Sequence, residues 1–179
     1  MVQNPDEALR RIKAVVFDID GVLTGGELIP LSDHDLLRIF DAKDSFAVRV
    51  AAKKGFITAI ISGGKTEALH FRCLHLGIKE EDLYLGARGK MKSFTDFCDR
   101  HGLDFSEVMY FGDDIPDTQV LKACGVGVAP SDAVAEAREA ADIVSGFPGG
   151  HGCVHAELER LMKAQDKWHF DPDKFDQIF

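Results

Sequence analysis

Short apolar segments alternate with segments of helical periodicity, and this alternation constrains the fold more than any other feature of the chain. The strand-like segments are residues 12–19, 56–61, 83–85, 108–111, 126–129 and 143–144. The helical segments are residues 44–54, 66–76, 90–101, 116–124, 133–140 and 154–164. Strands joined by single helices form right-handed crossovers. The pattern therefore predicts an α/β fold, a Rossmann-like doubly wound parallel sheet with helices on both faces.

Residues 22–40 interrupt this alternation. Two loosely alternating stretches, 22–31 and 36–40, flank a polar turn at residues 32–35, which predicts a β-hairpin insertion. The remaining segments form one series, and the chain has no linker rich in proline or serine that would separate two domains. We expect a single domain over residues 1–168 and a C-terminal tail over residues 169–179.

Charge and cysteine content exclude several classes of protein. The 30 acidic residues exceed the 21 basic ones, so the formal net charge of −9 argues against a general binder of nucleic acids or anionic membranes. No apolar segment approaches the length of a membrane span, and the N-terminus lacks the apolar region of a secretion signal. The four cysteines are widely spaced, which is typical of reduced, buried thiols in a cytoplasmic protein.

Polar side chains follow four of the predicted strands. Asp18 and Asp20 follow the first strand, Ser62 the second, Lys90 the third, and the acidic segment 112–117 the fourth. In parallel α/β sheets ligands bind at the carboxyl ends of the strands. We therefore expect these groups to converge at one edge of the sheet.

The chemistry of the convergent groups suits a metal ion and a phosphate. Two neighbouring carboxylates repel each other unless a cation lies between them, and a hard divalent ion prefers oxygen ligands. A hydroxyl and glycines that lead into a helix N-terminus favour phosphate binding. Each segment alone is common in turns, loops and helix caps. Their convergence at one edge is what predicts a functional site.

Taken in this order, the four segments resemble the motifs of the haloacid dehalogenase superfamily of phosphotransferases. The Asp-x-Asp-Gly-Val-Leu-Thr form of residues 18–24 is specific, and the likeness spans residues 18–117. More narrowly, the chain resembles the capless bacterial phosphatases that act on 3-deoxy-D-manno-octulosonate 8-phosphate. This narrower likeness runs from about residue 12 to residue 168 and includes the hairpin and the glycine-rich segment 149–154.

The resemblance implies a haloacid dehalogenase-like core and a covalent mechanism. Asp18 would be the nucleophile that forms an aspartyl-phosphate. Asp20 would protonate the leaving alcohol and later activate the hydrolytic water. Ser62, Gly63 and Lys90 would hold the phosphoryl oxygens.

The resemblance also implies a bound Mg²⁺. Its protein ligands would be Asp18, the backbone carbonyl of Asp20, and Asp113. Asp114 or Asp117 would orient Asp113 or Lys90 without itself contacting the metal ion. The reaction would release a free sugar acid and phosphate in the synthesis of a lipopolysaccharide precursor.

Many members of the superfamily insert a cap domain over the site. Too few residues separate Thr24 from Ile57, or Gly63 from Lys90, to form a domain of about 50 residues. We therefore expect no cap domain. In the resembling phosphatases a tetramer closes the open site, with the hairpin and the neighbour's C-terminal region covering it. We expect a homotetramer here, because the leucines and isoleucine of the hairpin would be costly to expose together.

The chain departs from the family pattern at three positions, because Gly64, His151 and His155 stand where arginine is usual. A glycine or a neutral histidine lacks arginine's bidentate grip on the carboxylate of a sugar acid. Other cations could supply that contact: Lys65, Arg72 and Arg88.

Three other functions remain open. A phosphatase of the nine-carbon homologue, 2-keto-3-deoxynononate 9-phosphate, would use the same motifs, and only the pocket would distinguish it. A non-catalytic assembly module would have a damaged set of motifs, whereas every motif residue is present here. A receiver-like phosphorylation switch would need a stable aspartyl-phosphate, and Asp20 is placed to hydrolyse it.

Overall fold

The computed structural model describes residues 5–32, 35–171 and 173. The strands, in chain order, are β1 (Ala14–Phe17), β2 (Ile29–Ser32), β3 (Asp35–Leu37), β4 (Ile57–Ser62), β5 (Leu83–Leu85), β6 (Val108–Phe111), β7 (Val126–Ala129) and β8 (Ile143–Val144). Six of them form one sheet in the order β5-β4-β1-β6-β7-β8, and every neighbouring pair is parallel. The predicted parallel α/β sheet is confirmed.

Helices connect the strands as the periodicity predicted. They are α1 (Pro5–Leu9), α2 (Ala42–Lys53), α3 (Glu67–His75), α4 (Lys90–His101), α5 (Thr118–Ala123), α6 (Ala135–Ala140) and α7 (Cys153–Ala164). The sequence did not predict α1, because five residues are too few to show a helical period. The helix predicted over residues 116–124 begins instead as a 3-10 turn, Ile115–Asp117, before α5. Asp114 and Asp117 form a capping box around that turn.

Two apolar cores lie on opposite faces of the sheet. Side chains in a strand alternate between faces, so Val15 and Phe17 of β1 join one core and Ala14 and Val16 join the other. Buried residues of α1, α2, α3 and α7 complete the first core, and buried residues of α4, α5 and α6 complete the second. This arrangement is the double winding that the sequence predicted, and it leaves the strand ends open to a ligand.

A two-stranded antiparallel hairpin of β2 and β3 leaves the sheet after β1. A bridge between Thr24 and Phe40 closes its base. Residues 33 and 34 of the predicted turn lie outside the described residues. Between β1 and β4 the described chain forms only this hairpin and α2, so no cap domain is inserted there. No helix in the described ranges is long and apolar enough to cross a membrane.

The four cysteines are buried free thiols, as the spacing predicted. Burial raises the pKa of each thiol to about 12: Cys73, Cys98, Cys124 and Cys153. A thiol with so high a pKa stays protonated at neutral pH. These residues are therefore unreactive parts of the two cores.

Candidate active site

The carboxyl end of β1 carries Asp18, whose side chain is almost fully buried. The chain then turns tightly, because the N–H groups of residues 22–24 all donate to the carbonyl of Ile19 at 2.9 to 3.1 Å. Gly21 has a φ of +88°, and a Cβ there would lie 1.9 Å from an oxygen of Asp113. The turn therefore requires glycine, and it brings the loop after β6 against the loop after β1.

Lys90, the first residue of α4, connects two of the acidic groups. Its Nζ lies 2.9 Å from Oδ2 of Asp18 and donates to Oδ1 of Asp117 at 2.7 Å. Burial alone would lower the pKa of Lys90, but the two carboxylates hold that pKa above its ordinary value. Burial raises the pKa of Asp18 to about 6 against the opposing effect of Lys90. The lysine is therefore a permanently charged group beside Asp18.

Two buried carboxylate oxygens near this lysine have no partner. Oδ1 of Asp18 and Oδ1 of Asp113 make no hydrogen bond to any part of the chain that the structure describes. Burial, followed by the charge of Asp18, raises the pKa of Asp113 to about 7. One oxygen from each of Asp18, Asp113 and Asp117 lies within 4.8 Å of the others. Unpartnered, crowded carboxylate oxygens of this kind fit a hard divalent cation.

The sequence left open whether Asp114 or Asp117 orients the site, and the contacts favour Asp117. Its Oδ1 accepts from Lys90 and from the hydroxyl of Tyr110, and its Oδ2 accepts from the N–H groups of Asp113 and Asp114 at 3.3 Å each. Because donors surround both oxygens, Asp117 suits an orienting role better than a metal ligand. Asp114 is exposed and caps the first N–H of the following turn at 2.7 Å.

The sequence did not predict the contact with Tyr110. The tyrosine is fully buried in β6, and burial holds the pKa of its phenol well above the ordinary value. A phenol that stays protonated can only donate to Asp117. The sequence signal that could have revealed this contact was a tyrosine near the carboxyl end of an apolar strand. Tyrosines in strands are common in cores, so this signal is weak.

The end of β4 supplies the phosphate side of the site. Ser62 is buried, and its Oγ accepts from the N–H of Gly64 at 3.2 Å, so the hydroxyl hydrogen remains available to a ligand. A cavity of about 370 Å³ opens here. The groups that line it include Asp18, Asp20, Ser62, Gly63, Arg88, Lys90 and Asp113. The structure thus brings together the motif residues of all four strand ends.

An arginine of the hairpin completes the site, and the sequence did not reveal it. Arg38 follows β3, and its Nε and Nη2 donate to the two oxygens of Asp20 at 2.7 and 3.0 Å. Its side chain is only 5% exposed. The flanking Leu37 and Ile39 are 42% and 71% exposed, the reverse of the usual distribution of charged and apolar residues. The sequence signal that could have revealed this contact was a single arginine between apolar residues.

Lys65 and Arg72, which the sequence predicted to bind substrate, do not line this cavity. Lys65 is exposed, and its stem lies against Gly86. Arg72 lies over the ring of Phe40 at 4.9 Å and donates to Oγ of Ser45 at 2.5 Å. Their contact with substrate stays a prediction that would require these side chains to move.

The glycine-rich loop before α7 packs on the turn after β1. The N–H of Gly150 donates to the carbonyl of Val22 at 2.8 Å. A Cβ on Gly149 would lie 1.8 Å from the carbonyl oxygen of Gly21. His151 is exposed beside this contact, and its Nδ1 lies 2.8 Å from the carbonyl oxygen of Gly149. The close backbone approach explains why glycines occupy the loop.

Asp44 of α2 fixes the start of α7. Its fully buried carboxylate accepts from the N–H of Gly152 at 3.0 Å and from that of His155 at 2.7 Å. The ring of His155 packs edge-on against Trp168 at 5.7 Å. The structure therefore places Asp44 in a helix cap, outside the residues that line the cavity.

Comparison with known proteins assigns the chain to a family. Residues 86–156 match the haloacid dehalogenase-like hydrolase family. Over 156 residues the chain is 33% identical to the 3-deoxy-D-manno-octulosonate 8-phosphate phosphatase KdsC of Escherichia coli, a match that covers 87% of this chain and 82% of that protein. The match thus extends over most of both chains.

Solved structures agree with the sequence match. The 3-deoxy-D-manno-octulosonate 8-phosphate phosphatase of Yersinia pestis is 28% identical with a TM-score of 0.86, over 90% of this chain and 86% of that one. The enzyme of Moraxella catarrhalis, in complex with a magnesium ion, a phosphate ion and a KDO molecule, is 26% identical with a TM-score of 0.85, over 96% and 94% of the chains. The chain therefore belongs to the haloacid dehalogenase-like hydrolases, in the family of the 3-deoxy-D-manno-octulosonate 8-phosphate phosphatases, which are phosphoric monoester hydrolases.

Proposed function

We propose that this protein is a cytoplasmic, Mg²⁺-dependent phosphatase of lipopolysaccharide precursor synthesis. It hydrolyses 3-deoxy-D-manno-octulosonate 8-phosphate to the free sugar acid and phosphate. One observation carries the proposal: Lys90 joins Asp18 to Asp117 beside two unpartnered carboxylate oxygens, on the wall of a cavity that Ser62 also lines. The names of the relatives supply the substrate.

The residues suggest how phosphoryl transfer proceeds. Asp18 attacks phosphorus, so that an aspartyl-phosphate forms as the bond from phosphorus to the sugar oxygen breaks. Lys90, Ser62 and the N–H groups of the loop at Gly63 hold the phosphoryl oxygens in place. Phosphoryl transfer depends mainly on such positioning and on charge stabilisation. Lys90 serves both needs, because its charge lies beside Asp18 on the wall of the cavity that the phosphate would enter.

The unpartnered oxygens of Asp18 and Asp113, with the backbone carbonyl of Asp20, would hold Mg²⁺. When bound, the ion supplies positive charge that offsets the repulsion between these carboxylates and the phosphate. Asp117 keeps Lys90 oriented from behind. Asp117 thus acts on the reaction through Lys90.

Asp20 moves the protons of both steps. It first donates a proton to the departing sugar oxygen, and it then takes a proton from the water that attacks the aspartyl-phosphate. The second attack releases phosphate and restores the carboxylate of Asp18. The side chain of Asp20 is partly exposed at the cavity, where a leaving group and a water can reach it.

The assembled site argues against a non-catalytic module, since Asp18, Asp20, Ser62, Lys90 and Asp113 all line one cavity. The nine-carbon homologue, 2-keto-3-deoxynononate 9-phosphate, remains the second candidate. Gly64 weakens the case for the eight-carbon acid, because glycine offers no side chain to its carboxylate. The two substrates share their reacting atoms and differ in the pocket contacts they need.

The test is Mg²⁺-dependent release of phosphate from each of the two sugar-acid phosphates, with the Asp18→Asn variant as control. We expect kcat/KM above about 10⁴ M⁻¹s⁻¹ on the octulosonate, in the usual enzymatic range, and no turnover by the variant. A preference for the nine-carbon acid would retain the mechanism and change the substrate. Equal release by Asp18→Asn would refute the mechanism itself.

A further inference from the structure

The proposed chemistry leaves one buried charge unexplained. The side chain of Arg38 is only 5% exposed, and two nitrogens of its guanidinium bind Asp20. The third, Nη1, is buried and has no hydrogen-bond partner in the described ranges. Desolvating an arginine and leaving one donor unpaired is unfavourable, and an apolar residue of similar size is often as stable in such a place. Stability of the hairpin therefore does not account for Arg38.

The contact with Asp20 has the geometry of a clamp. Nε and Nη2 meet the two carboxylate oxygens separately, at 2.7 and 3.0 Å. A forked pair of this kind fixes the plane of the carboxylate as well as its position. Among the described residues, both side-chain hydrogen bonds of Asp20 come from Arg38. Without Arg38, the carboxylate of Asp20 would be free to rotate away from the cavity.

We propose that Arg38 is a positioning residue, which reaches from the hairpin to hold the carboxylate of Asp20 in the orientation that proton transfer requires. The inference rests on the proposed function, in which Asp20 is the proton donor and acceptor. Orientation of a reacting group contributes strongly to catalysis, because small displacements lower the rate. The hairpin thereby becomes part of the catalytic apparatus although none of its described residues lines the cavity.

The close approach of Arg38 to Gly64 is a second observation that supports this role. A Cβ at position 64 would lie 3.0 Å from Nη2 of Arg38 and 3.0 Å from Cδ2 of Leu69. The guanidinium thus lies directly above the glycine, in the space that a side chain at position 64 would fill. Glycine at this position and arginine at position 38 are therefore coupled. We expect Gly64→Ala to displace the clamp and to show the same kinetic signature as loss of Arg38, to a smaller extent.

The experiment compares two substrates whose leaving groups differ in their need for a proton. p-Nitrophenolate leaves without a proton, whereas a sugar alkoxide needs one from Asp20. The kinetic constant to compare is kcat/KM, because it reports only the steps up to release of the leaving group. We expect Arg38→Met to lower kcat/KM about 100-fold for 3-deoxy-D-manno-octulosonate 8-phosphate and less than about 3-fold for p-nitrophenyl phosphate. In an Asp20→Asn background, Arg38→Met should cause no further loss on the sugar substrate.

Two further variants separate positioning from folding. Arg38→Lys keeps the charge but not the fork, so it should recover only part of the lost activity on the sugar substrate. Arg100→Gln removes another arginine that pairs with a buried aspartate, Asp82, at the opposite edge of the sheet. This control should leave the ratio of the two substrates unchanged. Equal losses on both substrates in Arg38→Met would overturn the inference.

Crystal structures of the wild type and of Arg38→Met provide a readout that does not depend on turnover. We expect the carboxylate of Asp20 to turn away or to occupy several orientations in the variant. An unchanged orientation would overturn the positioning role, whatever the kinetics show. By contrast, failure of the wild type to release phosphate from either ester would refute the proposed function, and the structural comparison would still decide the role of Arg38.

Discussion

At the scale of single residues, burial makes the charged forms of Asp18 and Asp113 unfavourable when no cation is bound. The pKa of Asp113 is raised from 3.8 to about 7, and that of Asp18 to about 6, in each case chiefly by burial. The folded protein therefore binds these protons more tightly than the unfolded chain does. The resulting stability is complete below about pH 4 and is lost as the pH rises through the raised pKa values.

This linkage predicts the behaviour of Asp113→Asn in the absence of metal. At pH 8 the variant lacks the buried negative charge, so we expect its Tm to exceed that of the wild type by about 2–5 °C. Near pH 4 the two proteins should melt at more similar temperatures, because Asp113 is then protonated in the folded protein and about half protonated in the unfolded chain. Thermal melting in a chelating buffer at both pH values measures the difference. A variant less stable than the wild type at pH 8 would contradict the assignment.

At the scale of elements, one carboxylate joins two distant helices. Asp44 lies in α2 but caps α7, and the bonds span 108 and 111 residues of chain. The glycine-rich loop that precedes α7 packs on the turn after β1. The cap thus supports both the packing of two helices on one face of the sheet and the position of the catalytic turn.

We therefore expect Asp44→Ala to lower the free energy of unfolding by about 2–4 kcal/mol, because two buried N–H groups lose a charged acceptor. The matched control is Asp41→Ala, which removes a local cap of α2 that accepts from residues 43 and 44 and should lower it by about 1 kcal/mol. Urea unfolding gives both values. If the two variants were equally stable, the link between helices would contribute no more than an ordinary cap.

The elements also show what sequence can and cannot predict. The strands of the large sheet and most helices agreed with their predicted bounds to within a few residues, because the strands are short apolar runs and the helices bury one face at a regular period. The first strand of the hairpin was wrong at its start: it begins at Ile29 rather than at residue 22, because residues 22–24 form the tight turn after β1. The motif residues met at one edge because parallel strands end there. The contacts of Arg38 with Asp20 and of Tyr110 with Asp117 were not predicted, since each depends on how a separate loop folds back, which no local period encodes.

At the scale of the whole molecule, the hairpin presents an apolar surface to solvent. Five of its side chains are between 42% and 71% exposed: Leu28, Ile29, Leu31, Leu37 and Ile39. Exposed apolar groups clustered in this way mark an interaction surface. They support the proposal that the hairpin forms the interface of a homotetramer, in which a neighbour's C-terminal region also closes the site.

Charged residues at the most exposed of these positions test that proposal. We expect the double variant Leu31→Asp, Ile39→Asp to sediment as a smaller species than the wild type, because four identical interfaces would acquire buried charge. Val144→Asp, at a 49% exposed position on the edge strand β8, is the control and should leave the assembly intact. A wild type that sediments as a monomer would exclude the tetramer.

The contact between the glycine-rich loop and the turn after β1 joins an early part of the chain to a late one. The turn lies at residues 18–24, and the loop that presses on its backbone lies at residues 149–152. During synthesis on the ribosome, Asp18, the proposed nucleophile, therefore emerges long before the segment that packs on its turn. A chain truncated before residue 149 would carry Asp18, Asp20, Lys90 and Asp113 and would lack the loop that packs on the turn after β1. We therefore expect an ordered site only after translation has passed residue 152.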